Sequence, residues 1–464
     1  MSDLGQNKSI NAVSTNIMLE PWYRSPLNVG NNNMTFSMAL DSNSYAWAWG
    51  QNNAPNYSLG FNVNLNASSP TALSIATMLQ WRQIDNGSGA AAGCWFVGID
   101  SNSYAWCWGY NSTGQLGDNS ITNRGPAAVS VIGGKQWIKA IAAFTNTLAL
   151  DSNSYAWAWG SGSVGRLGYN ATQNSSSPVS VMGGKQFRLI RSANSVTTNP
   201  MYALDGNSYA WAWGNNQGGW GDLGDNTTFS RSSPVSVVGG KQWIALEVLP
   251  LAVVALDSNS YAWCWGGGTS GQLGDNTTLF RSSPVSVIGG KQWRKIATSR
   301  SGAGNIVVAI DSFSYAWAWG NNTYGVLGDN AITYKSSPVS VVGGKQFKDL
   351  TVTTYAGRGV VALDGSSAVW CWGYGTTGTI GDNTTNDRSS PTSVVGIGGK
   401  VISVGYGFPD AWAYTGSVPW FWGSNLQGSI GDKTDSNRSS PVSIVGAIKN
   451  FKVPRMVFGV LDYR

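Results

Sequence analysis

The sequence predicts an all-β fold in which one four-stranded unit recurs eight times. The first observation is a tryptophan-rich motif, W-x-W-G, that recurs at intervals of 50 to 59 residues. Its copies begin at Trp47, Trp106, Trp157, Trp211, Trp263, Trp317, Trp370 and Trp420. The second is that charged residues make up only 11% of the chain, against ~25% in an average globular protein. The third is a scarcity of strong helix formers, since glutamate occurs only at Glu20 and Glu247.

Each unit divides into four β-prone runs. In residues 133–182 these runs read WIKAI, TLALD, SYAWAWG and SPVSV, and clusters of Gly, Asn, Asp and Ser separate them. Four short strands in a period of about fifty residues are typical of one blade of a β-propeller. The number of motif copies favours eight blades, with seven as the alternative.

The motif strand alternates large and small side chains. In SYAWAWG, Tyr45, Trp47 and Trp49 point to one face of the sheet, whereas Ala46 and Ala48 point to the other. We expect the aromatic face of each blade to pack on the small-residue face of a neighbouring blade, which gives the motif tryptophans a structural role. These tryptophans are Trp47, Trp49, Trp106, Trp108, Trp157, Trp159, Trp211, Trp213, Trp263, Trp265, Trp317, Trp319, Trp370, Trp372, Trp420 and Trp422. Cysteines replace the central alanine in three copies, so we expect them to be small buried residues; they are Cys107, Cys264 and Cys371.

Both ends of the chain match the first two strands of a unit. Residues 22–41 match them once and residues 451–462 match them again, so one of the two sets is surplus. Because a closed ring has no free sheet edge, we expect residues 451–462 to help close it. The chain then divides into an N-terminal arm, residues 1–21, with docking as one interpretation of its role, and a single propeller, residues 22–464.

The loop after the motif has a recurrent form. It reads WGYNSTGQLGDN at 108–119, WGGGTSGQLGDN at 265–276 and WGNNTYGVLGDN at 319–330, between an LALD-type strand and an SSPVSV-type strand. In these residues the chain resembles the repeats of the regulator of chromosome condensation family, as a divergent phage or bacterial surface-type member. The resemblance implies a β-propeller, usually of seven blades in that family. That family's repeat commonly has a His before the LAL strand and its founding member has a guanine-nucleotide exchange surface, but this sequence has no His and no position that matches that surface.

Two rings of charge recur with the unit. An Asp precedes a basic residue by six positions in six copies, as in Asp118 and Arg124, which predicts a loop folded back and pinned by an ion pair. A GGKQ turn, as at Lys135, and an LDSN hairpin, as at Asp151, are expected on one face of the disc. That uniform face is either a docking surface for a symmetric partner or a solvated rim with local Asp and Lys pairing.

The loops that join the first and second strands differ between copies, although the rest of the unit is almost copied. Loops on a rigid frame are where binding residues tend to lie, although drift of exposed loops produces the same pattern. The candidate binding residues are Asn86, Asn194, Thr198, Arg300, Asn305, Tyr355, Arg358, Tyr406 and Phe408.

No arrangement of residues points to catalysis. Without His, a Ser triad and a His metal site are excluded, and no G-x-x-x-x-G-K-[ST] match suggests a phosphate loop. A GDNTT loop offers calcium one carboxylate where it takes about six to eight oxygens. We therefore expect no enzyme activity, no cofactor and no metal.

The function expected from the sequence is binding or structural. The net charge of +6 is spread along the chain rather than clustered, so a nucleic-acid partner is not expected. The longest apolar stretch, residues 248–256, is short and broken by Pro250, so membrane insertion is not expected. No N-terminal run has the basic, apolar and small-residue order of a signal peptide, so none is expected. The low charge and near-identical repeats favour a virion or cell-surface component, such as a phage fibre, decoration or adhesin protein, that binds a receptor, a glycan or neighbouring subunits. The alternative is an intracellular, cytoplasmic protein-interaction propeller that regulates a small GTPase in the manner of an exchange factor.

Overall fold

The computed structural model describes residues 36–41, 43–52, 66–73, 79–88, 94–192, 200–216, 218–299, 304–353, 357–406, 410–416 and 418–444. These residues form eight antiparallel sheets arranged as a β-propeller, which confirms the predicted fold class and the count of eight blades. No α-helix occurs among the described residues, and two 3-10 turns cover Ser163–Gly165 and Leu426–Gly428. The predicted arm, residues 1–21, and the closing strands, residues 451–462, lie outside the described residues.

The strands follow the predicted order in every sheet, and consecutive strands pair in antiparallel fashion. Sheet 1 contains β1 (Phe36–Leu40), β2 (Ala46–Gly50) and β3 (Ala67–Ala72). Sheet 2 contains β4 (Trp81–Ser88), β5 (Cys94–Asp100), β6 (Ala105–Gly109) and β7 (Arg124–Ser130). Sheet 3 contains β8 (Trp137–Ala142), β9 (Asn146–Asp151), β10 (Ala156–Gly160) and β11 (Ser175–Ser180). Sheet 4 contains β12 (Phe187–Ser192), β13 (Met201–Asp205), β14 (Ala210–Gly214) and β15 (Arg231–Ser236).

The second half of the ring repeats this order. Sheet 5 contains β16 (Trp243–Val248), β17 (Ala252–Asp257), β18 (Ala262–Gly266) and β19 (Arg281–Ser286). Sheet 6 contains β20 (Trp293–Thr298), β21 (Ile306–Asp311), β22 (Ala316–Gly320) and β23 (Lys335–Ser340). Sheet 7 contains β24 (Phe347–Val352), β25 (Gly359–Asp364), β26 (Val369–Gly373) and β27 (Arg388–Ser393). Sheet 8 contains β28 (Ser403–Tyr406), β29 (Asp410–Tyr414), β30 (Pro419–Gly423) and β31 (Arg438–Ser443).

The first strands of the sheets lie at the centre of the ring. From β4 and β8 to β24 and β28, the first strand of each sheet contacts the first strand of the next, whereas the fourth strands lie at the outer edge. The loops that join the first to the second and the third to the fourth strands therefore lie on one side of the disc, which we call the variable-loop face. The hairpins between the second and third strands and the connections between sheets lie on the other side, which we call the hairpin face.

The sheets pack through the motif strand as the alternation of its side chains predicts. Between sheets 2 and 3, Trp159 and Trp157 lie against Ala105 and Cys107 of the preceding sheet. The second tryptophan of each motif is fully buried, whereas the first is half-buried. All four cysteines are buried and none forms a disulfide bond, and burial raises the pKa of the Cys94 thiol to about 12. The aromatic and small faces thus supply a repeated core in a chain that has few charges.

Candidate partner-binding surfaces

In sheets 1 to 7, the hairpin on the hairpin face is organised around one carboxylate. In sheet 3, Asp151 Oδ1 accepts the backbone N–H groups of Asn153 and Tyr155, at 2.9 and 3.0 Å, and turns the chain. Its Oδ2 accepts the indole N–H of Trp157 at 2.9 Å. The ammonium of Lys135 lies 3.8 Å from the centre of the same indole ring, in cation–π geometry. The first tryptophan of the motif is therefore held at its edge by an acid and on its face by a base.

This arrangement recurs around the disc. Seven hairpin carboxylates accept the indole N–H of the tryptophan six residues later, at 2.8 to 3.0 Å; they are Asp41, Asp100, Asp151, Asp205, Asp257, Asp311 and Asp364. Five lysines lie 3.6 to 3.9 Å above tryptophan rings; they are Lys135, Lys185, Lys241, Lys291 and Lys345. Among the described residues, no ion pair joins these carboxylates to these lysines, so the alternative of a rim with local Asp and Lys pairing is replaced by contacts of both groups with the indole.

The Asp and basic residues spaced six apart form ion pairs on the variable-loop face, as predicted. Asp118 Oδ2 lies 2.6 Å from a terminal nitrogen of Arg124, and Oδ1 accepts hydrogen bonds from Asn111 and Ser120. Burial raises the pKa of this carboxyl, but the hydrogen bonds from Ser120 and Arg124 outweigh it and hold the pKa below its usual value. In the other pairs the distance between the basic nitrogen and the carboxylate oxygen is 2.5 to 3.6 Å; the pairs are Asp225–Arg231, Asp275–Arg281, Asp329–Lys335, Asp382–Arg388 and Asp432–Arg438.

The predicted binding residues differ in their surroundings. Asn86 on β4 and Asn305 beside β21 are buried, with 2% and 6% of their surface exposed. Arg358 is half-buried at the start of β25. The side chain of Tyr406 lies outside the described residues, as do Asn194, Thr198, Arg300, Tyr355 and Phe408. Of the nine candidates, the structure therefore places only Arg358 where a partner could reach a described side chain.

Arg358 is part of an aromatic cluster between sheets 6 and 7. Its guanidinium lies 5.5 Å from the ring centre of Tyr324 and 5.6 Å from that of Tyr374. The two tyrosines meet edge to face at 5.1 Å. All three side chains are half-buried, and they come from the loops of two adjacent sheets. Arg and Tyr held in this way are typical of the centres of protein interfaces.

A second group of apolar side chains lies on the same face, towards the outer edge of sheets 4 to 6. Phe229 is 71% exposed, and Ile332 is 67% exposed. The ring centres of Phe280 and of Trp220 on the neighbouring sheet are 6.4 Å apart. We call this group the apolar arc; it consists of Trp220, Phe229, Leu279, Phe280, Ile332 and Tyr334.

The apolar arc was missed in the sequence because its loops begin and end alike in most copies, with GDN and a basic residue, and differ only at the positions between them. Between the GDN sequence and the basic residue, sheet 7 has Thr, Thr, Asn and Asp, whereas sheet 5 has Thr, Thr, Leu and Phe. A comparison of these four positions between copies would have shown the difference. Sheet 2 also has one exposed apolar residue in this loop, Ile121, but the three copies that form the arc belong to sheets 4, 5 and 6, which are consecutive in the ring.

A buried acid lies beneath the arc. Asp222, in the loop that contains Trp220, is 2% exposed, and its Oδ1 has no hydrogen-bond partner among the described residues. Burial raises the pKa of this carboxyl to about 8, so it is mainly protonated at neutral pH. Its backbone carbonyl accepts the hydroxyl of Tyr202 at 2.6 Å and the indole N–H of Trp265 at 3.0 Å. The loop that carries Trp220 is thus fixed to two sheets.

Comparisons with known sequences support the repeat. No family model matches the chain. The chain is 25% identical over 394 residues to the E3 ubiquitin-protein ligase HERC2 of Mus musculus, a match that covers 84% of this chain and 7% of HERC2. It is 25% identical over 362 residues to the ultraviolet-B receptor UVR8 of Arabidopsis thaliana, covering 76% of this chain and 78% of UVR8. The chain therefore spans only a small part of the ligase, and the match concerns the repeats.

Comparisons with solved structures give the fold. Prp20p of Saccharomyces cerevisiae, described with its binding to Gsp1p and histones, superposes with a TM-score of 0.57 at 18% identity, over 80% of this chain and 91% of Prp20p. Yeast RCC1 (Prp20) bound to Kap60 superposes with a TM-score of 0.58 at 16% identity, over 88% of this chain and 94% of that chain. No helix among the described residues is long and apolar enough to cross a membrane. Together with the W-x-W-G blades and their G-x-L-G-D loops, these likenesses show that the chain has the fold of an eight-bladed β-propeller similar to that of RCC1.

Proposed function

We propose that this chain is a protein-binding propeller and that its partner docks on the variable-loop face over sheets 4 to 7. The apolar arc is the observation that carries the proposal. Phe229, Leu279 and Ile332 expose 59 to 71% of their surface on three adjacent sheets. The equivalent loops of sheets 3, 7 and 8 have mainly polar residues there, and that of sheet 2 has a single exposed apolar residue, Ile121. Exposed apolar side chains grouped on one side of a soluble protein mark interaction sites.

The composition of the surface suits a protein partner better than a glycan. A Trp, a Tyr pair and an Arg lie beside aliphatic residues, and these types carry most of the binding energy in protein interfaces. The arc is fixed by the rigid blade frame, so little conformational entropy is lost when a partner binds. The paired Arg281 and Lys335 lie close to the arc in sequence and supply a polar rim.

The solved relatives support a protein partner as well. The yeast propellers are described with Gsp1p, histones and Kap60, all of which are proteins. These comparisons favour the intracellular interaction reading of the sequence over the virion or surface reading, for which they offer no support. Recovery of a small GTPase among the partners would favour the regulator reading within this proposal.

The test is capture of partners by the immobilised full chain from an extract of its source cells, with quantitative mass spectrometry. The test variant is Phe229→Ser with Leu279→Ser and Phe280→Ser. The matched control is Phe313→Ser, which removes an aromatic side chain that is 73% exposed on the hairpin face. We expect at least one protein to fall about tenfold or more with the triple variant and to be unchanged with the control. If no captured protein depends on the arc, this face is not the docking surface.

A further inference from the structure

The basic residues of the two faces differ in how they are neutralised. On the variable-loop face each recurrent base is paired with the Asp six positions before it, as Arg281 is with Asp275 at 2.7 Å. On the hairpin face the lysines lie over indole rings, and among the described residues Lys135, Lys185 and Lys241 form no ion pair. A cation over an aromatic face keeps its full charge. Among the described residues, the bases that form no ion pair therefore lie mainly on the hairpin face.

Some acids of the hairpin face are less exposed than its lysines. The hairpin carboxylates of Asp100, Asp151 and Asp311 are 2 to 7% exposed, whereas Lys135, Lys185 and Lys241 are half-buried. Each of these carboxylates accepts three N–H groups, so its oxygens are occupied within its own hairpin. These ammonium groups are therefore more accessible to a partner than these carboxylates.

More bases surround the hairpin-face end of the central strands. The second residue of β4, β20 and β24 is Arg82, Arg294 or Lys348, and none of the three forms an ion pair among the described residues. Arg294 donates to the backbone carbonyl of Phe347 in the next sheet at 2.7 Å, which places its guanidinium along the ring of first strands. Farther along the first strands, two bases form ion pairs with acids of the neighbouring sheet. A terminal nitrogen of Arg191 lies 3.6 Å from a carboxylate oxygen of Glu247, and Lys295 pairs with Asp349. On these first strands, the bases Arg82, Arg294 and Lys348, which form no ion pair among the described residues, therefore lie at the mouth of the ring.

Apolar residues alternate with these bases. The equivalent position holds isoleucine in sheets 3, 5 and 8, as Ile138, Ile244 and Ile402, and two of these are 36% and 46% exposed. Around the mouth the order from sheet 2 to sheet 8 is Arg, Ile, Arg, Ile, Arg, Lys, Ile. We call these seven residues the central ring.

We propose that the central ring of the hairpin face binds an acidic segment of a partner protein in which Asp or Glu residues are interspersed with apolar residues. Arg82, Arg294 and Lys348, which form no ion pair among the described residues, match carboxylates, and the isoleucines of the ring match apolar side chains. Nucleic acid fits less well, because a phosphate backbone offers nothing to the isoleucines and no aromatic side chain lies in the ring to stack on bases. The surface is separate from the variable-loop face, so the chain would hold two partners at once, and either proposal can fail alone.

The test measures binding by fluorescence anisotropy at low and at physiological salt. The probes are a short fluorescein-labelled peptide that alternates Glu and Leu, a peptide of equal charge that alternates Glu and Ser, and a single-stranded DNA of equal charge. The full chain is compared with the variant Arg82→Gln, Arg294→Gln, Lys348→Gln. Two single variants form a matched pair: Lys348→Gln in the ring and Lys433→Gln on the variable-loop face, where Lys433 is exposed.

We expect the Glu and Leu peptide to bind at least about fivefold more tightly than the other two probes, and binding to weaken as salt rises. The triple variant should bind the Glu and Leu peptide about tenfold or more weakly than the parent chain. Lys348→Gln should weaken binding more than Lys433→Gln, whose affinity should stay within about twofold of that of the parent chain. Circular dichroism of each variant shows whether the fold is retained. Equal affinity of the triple variant, tighter binding of the DNA, or no binding of the Glu and Leu peptide at low salt would each overturn the proposal.

Discussion

Trp49 in sheet 1 donates its indole N–H to the backbone carbonyl of Ser429 in sheet 8 at 2.8 Å, and this contact closes the ring across 380 residues of sequence. The same bond type joins other sheets, as from Trp319 to the carbonyl of Gln272 at 3.0 Å. At the closing joint Phe421 takes the place of the small residue and meets Trp49 edge to face at 5.8 Å. Gly431, with φ of 84°, approaches the indole so closely that a Cβ would lie 2.9 Å from its nitrogen. The closing joint is therefore built like the others, with one larger side chain.

The first prediction concerns this closing joint. Trp49→Ala removes a fully buried ring and its hydrogen bond, and we expect it to lower the free energy of unfolding by about 3–5 kcal/mol. Trp49→Phe keeps part of the ring and should cost less. The measurement is urea unfolding followed by circular dichroism, with the exposed Phe313→Ala as control. An unchanged midpoint for Trp49→Ala would show that the ring does not depend on this joint.

The second prediction concerns the small-residue face. Cys107 is fully buried against the tryptophans of sheet 3, at a position where other copies have Ala. Cys107→Ala should change the free energy of unfolding by less than about 1 kcal/mol, whereas Cys107→Leu overfills the joint and should cost about 1–3 kcal/mol. The measurement is the thermal unfolding midpoint of the two variants. Equal midpoints for Cys107→Leu and Cys107→Ala would contradict the tight packing of this joint.

A related measurement tests the burial of the thiol. Burial raises the pKa of the Cys107 thiol well above its ordinary value, and the charge of Asp118 raises it further. The thiolate that reacts with iodoacetamide is therefore scarce in the folded protein. We expect alkylation at Cys107 only after unfolding, as read by mass spectrometry; rapid labelling of the native protein would contradict the structure.

The third prediction concerns the protonated Asp222. Its pKa is raised to about 8 in the folded protein, while an unfolded Asp titrates near pH ~4. The folded state therefore holds a proton that the unfolded state has released between these values, and its contribution to stability falls as pH rises from ~4 to about 8. Asp222→Asn keeps a neutral side chain of similar shape and should be more stable than the parent chain near pH 8 but not near pH ~4.

Guanidinium unfolding at several pH values measures this difference. Asp387→Asn is a suitable control because that carboxylate is exposed in a loop of sheet 7. If the advantage of Asp222→Asn over the parent chain stays constant with pH, the Asp222 carboxyl is ionised in the fold, contrary to the expected direction.

The fourth prediction concerns the ion pairs of the variable-loop face. Burial raises the pKa of Asp275, but hydrogen bonds from Thr277 and Arg281 outweigh it and lower the pKa. Because the pKa of Asp275 is lower in the folded than in the unfolded protein, ionised Asp275 stabilises the fold above the unfolded pKa, near pH ~4. This stabilisation is lost as pH falls through the folded pKa. Asp275→Ala should cost about 2 kcal/mol at neutral pH because it leaves several donors unsatisfied. Arg281→Ala should cost less than about 1 kcal/mol because its side chain is 32% exposed.

Unfolding midpoints between neutral and acid pH decide this prediction. The gap between Asp275→Ala and the parent chain should narrow as pH falls below ~4. A larger cost for Arg281→Ala than for Asp275→Ala would mean that the guanidinium, rather than the carboxylate, organises the loop.

The sequence by itself determined the repeat and everything that acts within one repeat. The number of blades, the alternation of Trp with Ala or Cys, and the Asp118–Arg124 type of pair depend on spacings of a few residues along one strand or loop, and such spacings are visible in the sequence. The tertiary structure alone decided which repeats lie side by side and which way each loop points. Residues 50 or more apart in sequence become neighbours only when the sheets form a ring, so the apolar arc, the contact of Arg358 with Tyr324 and the central ring had no local pattern. The bases looked evenly spread along the chain, yet Arg82, Arg294 and Lys348 come together around the mouth of the ring on one face, because each connection between sheets returns to the same side of the disc.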